Sequence, residues 1–257
     1  MAGFLSTLLV LNMSVRLSSS IALLFLLFAG RCVGQNTLTV AAASDLTNLE
    51  APLAGSFRTA APDSKIRWVT ASSAILAEQI RNGAPYDVFL SANAEYVDRL
   101  SSFGKLAPDS VRPYAVGRIA ILWRDGKHHE ISDLAGSGVR FVALPNPKLA
   151  PYGVAAQQAL EHAGIWAKVR SKIVYGENVR QALQLFNSGN ADAVITSDSL
   201  LVRRNPQLIP AEWHNPIVQK AGMVAGTPHA NVARKFLEFL TGEAGQSVFA
   251  QFGFGKP

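Results

Sequence analysis

The segment KIRWVTASSAILAEQIRNGAPYDVFLSA, residues 65–92, decides the fold class because it contains a strand, a helix and a second strand in that order. The apolar stretches Lys65–Thr70 and Asp87–Ala92 each have the length of one buried strand. Residues Ser73–Arg81 between them have helical periodicity, and Asn82-Gly83 is a typical helix end. A unit of this spacing predicts parallel strands joined by a right-handed crossover.

The same alternation continues on both sides of this unit. Further strands are predicted at LTVAAA (Leu38–Ala43), RIAILW, VRFVAL, KIVYG and ADAVITS, and further helices at Leu46–Thr59, Ala94–Ser102, Gly153–Ala163, Asn178–Ser188, Ala230–Leu240 and Ala244–Phe252. We therefore predict an α/β protein with two lobes, each a mixed, mostly parallel sheet flanked by helices.

The second lobe is predicted to be inserted into the first. Residues 35–116 and 223–257 are assigned to the first lobe and residues 117–222 to the second, with crossings near Tyr114–Arg118 and Lys220–Val224. A ligand cleft is expected between the lobes, because open α/β sheets bind ligands beyond the carboxyl ends of their strands.

Residues 1–34 are predicted to be a cleavable signal peptide. The apolar run IALLFLLFAG, Ile21–Gly30, follows the positive Arg16 and is shorter than the roughly 20 residues that span a bilayer. Cleavage is expected after Gly34, and Met13 makes a better signal start than Met1. An uncleaved membrane anchor is the alternative interpretation.

Composition excludes some classes of function. The chain has 24 Lys and Arg against 18 Asp and Glu, a formal net charge of +6, and the basic residues are scattered rather than clustered. We therefore expect no nucleic-acid partner. Cys32 is the only cysteine, so no disulfide is expected. Lipid attachment at Cys32 is a further alternative, although Arg31 before it is unsuitable.

Four strand-to-helix junctions carry the candidate site. A helix start exposes unpaired N–H groups at the positive end of the helix dipole, and serine hydroxyls add further donors, so an anion is the expected ligand. Serine and aspartate are also ordinary helix caps, and the prediction therefore depends on all four junctions together. These are Ser44 and Asp45 in AAASDL, Ser72 and Ser73 in TASSAIL, Pro151, Tyr152 and Gly153 in LAPYGVAA, and Glu177, Asn178 and Val179 in YGENVRQAL.

The sequence around these junctions resembles the molybdate-binding proteins of bacterial ABC transporters. The segments that carry the resemblance are AAASDL, TASSAILAEQIRNGAPYDVFLSAN, APYGVAAQQAL, ENVRQAL and FLTGEAGQSVFAQFGF. The resemblance implies a type II periplasmic-binding-protein fold and a molybdate or tungstate oxyanion held by serine hydroxyls and backbone amides. It also implies a periplasmic protein, expected to be a monomer, that delivers its ligand to a permease subunit and uses no cofactor and no directly coordinated metal cation.

Carried over residue by residue, the resemblance assigns the ligand contacts. Ser44 and Ser73 are expected to give a hydroxyl and an amide each, and Tyr152 and Val179 an amide each. Some members of the family also use the residue after the first serine, which is Asp45 here. A carboxylate would repel a dianion, so we expect the Asp45 side chain to turn away and cap its helix. The alternative is a protonated Asp45 that donates to the ligand.

The chain departs from the family pattern at a strand end. Some relatives place a ligand-touching tyrosine where this sequence has Ile195 or Thr196. The Thr196 hydroxyl is a possible substitute, the Tyr152 phenol is another, and Ser72 is a further possible contact.

Other functions stay open. Sulfate, phosphate or a small organic anion are alternative ligands, and a sensor rather than a transport component is an alternative role. An enzyme on the same scaffold would need a titratable group in the cleft, for which Asp45 is the candidate, but no G-x-S-x-G elbow is present. We expect no enzyme activity. The adjacent pair His128-His129 is too small a ligand set to predict a metal site.

Overall fold

The structure is a computed structural model that describes residues 36–257, which form two five-stranded sheets. The predicted signal peptide, residues 1–34, lies outside the described residues. Within residues 36–257, no helix is both long enough and apolar enough to span a membrane. The strands are β1 Asn36–Ala43, β2 Ser64–Ala71, β3 Val88–Ser91, β4 Arg112–Gly117, β5 Ile119–Trp123, β6 Val142–Pro145, β7 Ile173–Gly176, β8 Ala193–Ser197, β9 Gln207–Leu208 and β10 Ile217–Met223.

Eight α-helices cover the sheets of the described chain. They are α1 Glu50–Phe57, α2 Ser73–Arg81, α3 Ala94–Ser102, α4 Pro151–His162, α5 Trp166–Val169, α6 Val179–Asn187, α7 Ala230–Thr241 and α8 Glu243–Gln251. Short 3-10 helices lie between them, of which Ser44–Leu49 after β1 and Asp198–Leu200 after β8 are adjacent to the candidate site.

Each sheet mixes parallel and antiparallel pairs, which confirms the predicted fold class. The first sheet has the order β2-β1-β3-β10-β4, with β1 parallel to β2 and β3 and with β10 antiparallel to β3 and β4. The second has the order β7-β6-β8-β5-β9, with β6 parallel to β7 and β8 and with β5 antiparallel to β8 and β9.

Strand β10 changes the predicted assignment of residues to the lobes. We assigned residues 117–222 to the second lobe, but Ile217–Met223 pairs with β3 and β4 of the first sheet. The chain therefore returns to the first sheet before Ile217 rather than near Lys220–Val224. The outward crossing, between β4 and β5 at Arg118, falls within the predicted range.

The two lobes have apolar cores that meet at the carboxyl ends of β1 and β3. Ala43 is the last residue of β1, and Ala92 directly follows β3. Both pack in the same buried cluster as Tyr152 and Val179 of the second lobe. The helix starts of the first lobe are therefore held against those of the second.

Candidate functional site

All four predicted helix starts lie where the two lobes meet, and their residues are buried. Ser44, Asp45, Ser73, Tyr152 and Val179 each expose 3% or less of their surface. The Tyr152 phenol of α4 donates a hydrogen bond of 2.8 Å to an Asp45 carboxyl oxygen, which directly joins the two lobes. Four junctions from two lobes therefore converge on one region.

The start of α6 leaves one backbone donor without a partner. The Asn178 side chain caps this helix and accepts from the N–H groups of Arg180 and Gln181. The Val179 N–H takes no part in this cap and bonds with no other described group. The amide that the sequence predicts as a ligand contact is thus free to bind a ligand.

The start of α4 leaves a second free donor. Pro151 occupies the first helical position and has no N–H. The Ala150 carbonyl accepts from Gly153 and Val154, and the Tyr152 N–H bonds with no group within residues 36–257. The tight packing at this turn requires glycine at 153, because a Cβ there would lie 2.2 Å from the Pro145 carbonyl oxygen.

The serine pair at the start of α2 divides into a free hydroxyl and a bound one. Ser72 is the N-cap residue, yet its hydroxyl caps nothing and is buried with no hydrogen-bond partner in the described chain. The Ser73 hydroxyl accepts from the Ala92 N–H at 3.0 Å and keeps its own proton to donate. Both serine hydroxyls can therefore donate a hydrogen bond to an anion, and the Ser72 hydroxyl bonds with no other described group.

The Asp45 carboxyl is held by side chains from other elements. One carboxyl oxygen, Oδ2, accepts from the Tyr152 phenol and from the Gln219 amide of β10, and the Tyr114 phenol of β4 donates to Gln219 in turn. The other oxygen, Oδ1, is buried without a partner among the described residues. We expected this side chain to cap its own helix; instead it joins α4 to the first sheet.

Burial raises the pKa of the Asp45 carboxyl above its ordinary value. The hydrogen bonds from Gln219 and Tyr152 and the nearby backbone N–H dipoles of Asp45 and Leu46 lower this pKa but are outweighed. Burial and the nearby Asp45 charge also raise the pKa of both phenols, Tyr114 and Tyr152, well above the ordinary value. The polar groups bonded to the carboxyl are therefore neutral donors.

The strand end that departs from the family pattern is buried beside α6. The Thr196 hydroxyl donates to the Val179 carbonyl at 3.0 Å, so its proton is used inside the protein. Ile195 is buried in the apolar core of the second lobe. The Tyr152 phenol donates to Asp45 rather than standing free.

Sequence reasoning missed Gln219, Tyr114 and Gly117. Gln219 is fully buried and bonds with Asp45, Tyr152 and Tyr114. A glutamine inside the apolar strand IVQKAGM was the available signal, because a buried amide requires partners. A Cβ on Gly117 would lie 2.2 Å from the Tyr152 phenol oxygen, so this crossing needs a glycine.

The site offers donors for an anion and no ligand set for a cation. Among the described residues, no group of three or more His, Cys, Asp or Glu side chains could hold a metal ion. His128 contacts the Asn205 carbonyl, and His129 contacts the Asp125 carboxylate. Buried hydroxyls and free N–H groups at helix starts are the chemistry that recognises oxyanions.

Known proteins are similar in sequence to most of this chain. A family model of the bacterial extracellular solute-binding proteins matches residues 38–255. The molybdate-binding protein ModA of Azotobacter vinelandii is 30% identical over 187 residues, which cover 69% of this chain and 73% of that protein. YvgL of Bacillus subtilis, provisionally named an ABC transporter substrate-binding lipoprotein, is 31% identical over 245 residues, 90% of this chain and 94% of that protein.

Solved structures share the two-lobe architecture. The periplasmic molybdate-binding protein of Azotobacter vinelandii superimposes with a TM-score of 0.80 at 30% identity, over 86% of this chain and 99% of that one. The sulfate-binding protein SubI of Mycobacterium tuberculosis has a TM-score of 0.70 at 16% identity, which shows the fold alone.

Proposed function

The chain belongs to the family of bacterial extracellular solute-binding proteins, and we propose that it captures molybdate between its lobes and delivers it to an ABC permease. The observation that supports an oxyanion ligand is the set of buried donors at three helix starts that have no partner among the described residues. These donors are the Ser72 hydroxyl and the N–H groups of Tyr152 and Val179. The name of the ligand comes from the ModA relatives.

Several donors are needed because a dianion loses its water on binding. Moving an unpaired charge into an apolar medium costs tens of kcal/mol, whereas one hydrogen bond to a charged group returns only about 1.5–3 kcal/mol net. Each helix start adds about 0.3–1 kcal/mol. Roughly six or seven such bonds are the minimum for nanomolar to micromolar binding. A hydroxyl and an amide each from Ser44 and Ser73, with the free donors at Ser72, Tyr152 and Val179, reach this number.

The same function predicts which other anions bind and where the protein acts. Tungstate has the charge and shape of molybdate and is expected to bind as well, whereas sulfate is smaller and leaves the donors too far apart. The protein needs no cofactor or coordinated cation and catalyses no reaction. It acts as a monomer in the periplasm, after removal of residues 1–34 as a signal peptide.

The carboxyl group of Asp45 would repel a bound molybdate dianion if it were ionised. At an effective dielectric constant of about 20, two unit charges about 4 Å apart repel each other by about 4 kcal/mol, and a dianion doubles this figure. An ionised Asp45 would therefore cancel two or more donor hydrogen bonds. The same carboxylate would suit a ligand that carries its own proton, and hydrogen phosphate is accordingly the second candidate.

Isothermal titration of the purified protein with molybdate, tungstate, sulfate and phosphate tests the proposal. We expect molybdate and tungstate to bind at least about 100-fold more tightly than sulfate, a difference of roughly 3 kcal/mol. Equal and weak heats for all four anions would refute the molybdate assignment. Tight binding of phosphate alone would replace it with the second candidate.

A further inference from the structure

Asp45 is a buried carboxyl in direct contact with a predicted ligand residue. It follows Ser44 in the chain, and its Oδ2 atom accepts from the Tyr152 phenol. Only 1% of the residue is exposed, so water does not solvate its charge. A buried carboxyl is stabilised by a cation, by donated hydrogen bonds or by a proton of its own.

No cation is bonded to this carboxyl among the described residues. The groups that contact Asp45 are Tyr152 from α4, Gln219 from β10 and, through its carbonyl, Ser199 from the 3-10 helix after β8. Tyr114 from β4 is a further titratable neighbour and reaches the carboxyl through Gln219. Asp198, next to Ser199 in the chain, is a second carboxyl whose pKa burial raises, and it faces Arg118. Both phenols have a raised pKa and are neutral, and glutamine and serine do not ionise.

The hydrogen-bond pattern also leaves a place for a proton. The two donors bond with Oδ2, while Oδ1 is buried and unpartnered. A carboxyl protonated on Oδ1 would keep both bonds at Oδ2 and gain a donor of its own. The Ser72 hydroxyl is likewise buried without a partner among residues 36–257.

We propose that Asp45 carries a proton on Oδ1 when the oxyanion is bound and donates it as a hydrogen bond to an anion oxygen, so that binding takes up one proton. This inference rests on the proposed function, because it requires a dianion beside Ser44 and Tyr152. It makes Asp45 a specificity determinant, since the protonated carboxyl favours fully deprotonated oxyanions over those that carry a proton.

The direction of the pH effect follows from linkage. Burial already raises the pKa of Asp45 in the free protein, and an adjacent dianion raises it further. Between these two pKa values the complex holds one more proton than the free protein. The dissociation constant for molybdate should therefore rise about tenfold per pH unit in that window.

Calorimetry of the full protein in two buffers with different ionisation enthalpies counts the protons taken up with molybdate. Measured across the pH range in which the protein stays folded, the wild type should take up close to one proton between the pKa of Asp45 in the free protein and its higher pKa in the complex. Asp45→Asn keeps an acceptor for Tyr152 and a donor toward the ligand, so it should bind with no proton uptake and a constant affinity. Asp98→Asn, on the exposed face of α3 beside Lys220, is the matched control and should behave as the wild type.

The outcomes separate this inference from the function on which it rests. Molybdate binding by the wild type without proton uptake at any pH overturns the inference alone. Proton uptake that persists in Asp45→Asn assigns the proton to another group and also overturns it. If folded wild-type protein, checked by circular dichroism, binds no oxyanion at any pH, the proposed function falls and the inference with it.

Discussion

At the scale of single residues, the two adjacent serines of α2 are expected to respond differently to substitution. Ser73→Ala leaves the buried Ala92 N–H unpaired, so it should lower the free energy of unfolding of the ligand-free protein by about 1–3 kcal/mol as well as weaken molybdate binding. Ser72→Ala unpairs no protein group and should weaken binding by a similar amount with stability unchanged or improved. Urea unfolding and isothermal titration measure the two effects separately.

Ser102→Ala is the matched control for both serines, because its hydroxyl is exposed and bonds only within α3. It should alter neither the affinity for molybdate nor the stability beyond about 0.5 kcal/mol. Unchanged affinity in Ser72→Ala would show that the free hydroxyl is not a ligand contact.

The raised pKa of Asp45 also predicts that the stability of the ligand-free protein depends on pH. Because the pKa of Asp45 is raised in the folded state, the folded protein holds more protons than the unfolded chain between the two pKa values. The contribution of Asp45 to stability is therefore fully present below the ordinary pKa and is lost as the pH rises through the folded value. The stability of Asp45→Asn relative to the wild type should increase with pH over this window in denaturant titrations. A difference that stays constant above about pH 4, over the whole range in which both proteins are folded, would contradict the raised pKa.

The donors of the site could be predicted from sequence, but the surroundings of Asp45 could not. A serine or a Pro-X pair at a strand-to-helix junction is a local pattern, and local patterns indicate where free N–H groups lie. The contacts of Asp45 with Tyr152 and Gln219 join residues more than one hundred positions apart in the chain. Only the packing of the two lobes brings these side chains together, and no local rule predicts it.

At the scale of elements, the sequence predicts the helices and the strands that pair in parallel better than the strands β4, β9 and β10. Residues Ser73–Arg81 and Ala94–Ser102 are helices as predicted, because the helical periodicity is clear and Asn82-Gly83 ends the first of them. Strand β4 contains Pro113, which removes a backbone donor and is tolerated because β4 lies at the edge of the first sheet. Strand β10 was missed because Gln219 and Lys220 interrupt its apolar pattern.

The position of α4 provides a test at this scale. Gly153 lies against the Pro145 carbonyl, and a methyl group there would force the start of α4 away from the end of β6. Gly153→Ala should cost about 1–3 kcal/mol of stability, and it should weaken molybdate binding further because the Tyr152 N–H moves with the helix. Gly138→Ala is the control, since a Cβ there meets no atom within 4 Å. Wild-type affinity in Gly153→Ala would mean that the start of α4 does not contact the ligand.

At the scale of the whole molecule, the two lobes are joined at the same helix starts that offer donors to the ligand. Asp45 contacts Tyr152, and the Ser199 hydroxyl donates to the Asp45 carbonyl while the Asn48 amide donates to the Ser199 carbonyl. The covalent connection between the lobes is limited to the crossing at Arg118 and the return before Ile217. An anion bound among these contacts adds bonds to both lobes and should stabilise the fold as a unit.

Ligand should therefore raise the temperature of unfolding of the whole protein. At a free concentration about 1,000 times the dissociation constant, a ligand that binds only the folded state adds about 4 kcal/mol, or roughly 10 °C for a chain of this size. Differential scanning calorimetry should show one transition that moves up as a whole with molybdate and with tungstate. Sulfate at equal ionic strength should move it little, and Ser73→Ala should reduce the molybdate shift. Two transitions, of which only one responds to molybdate, would show that the ligand binds a single lobe, because a site built from both lobes must stabilise both.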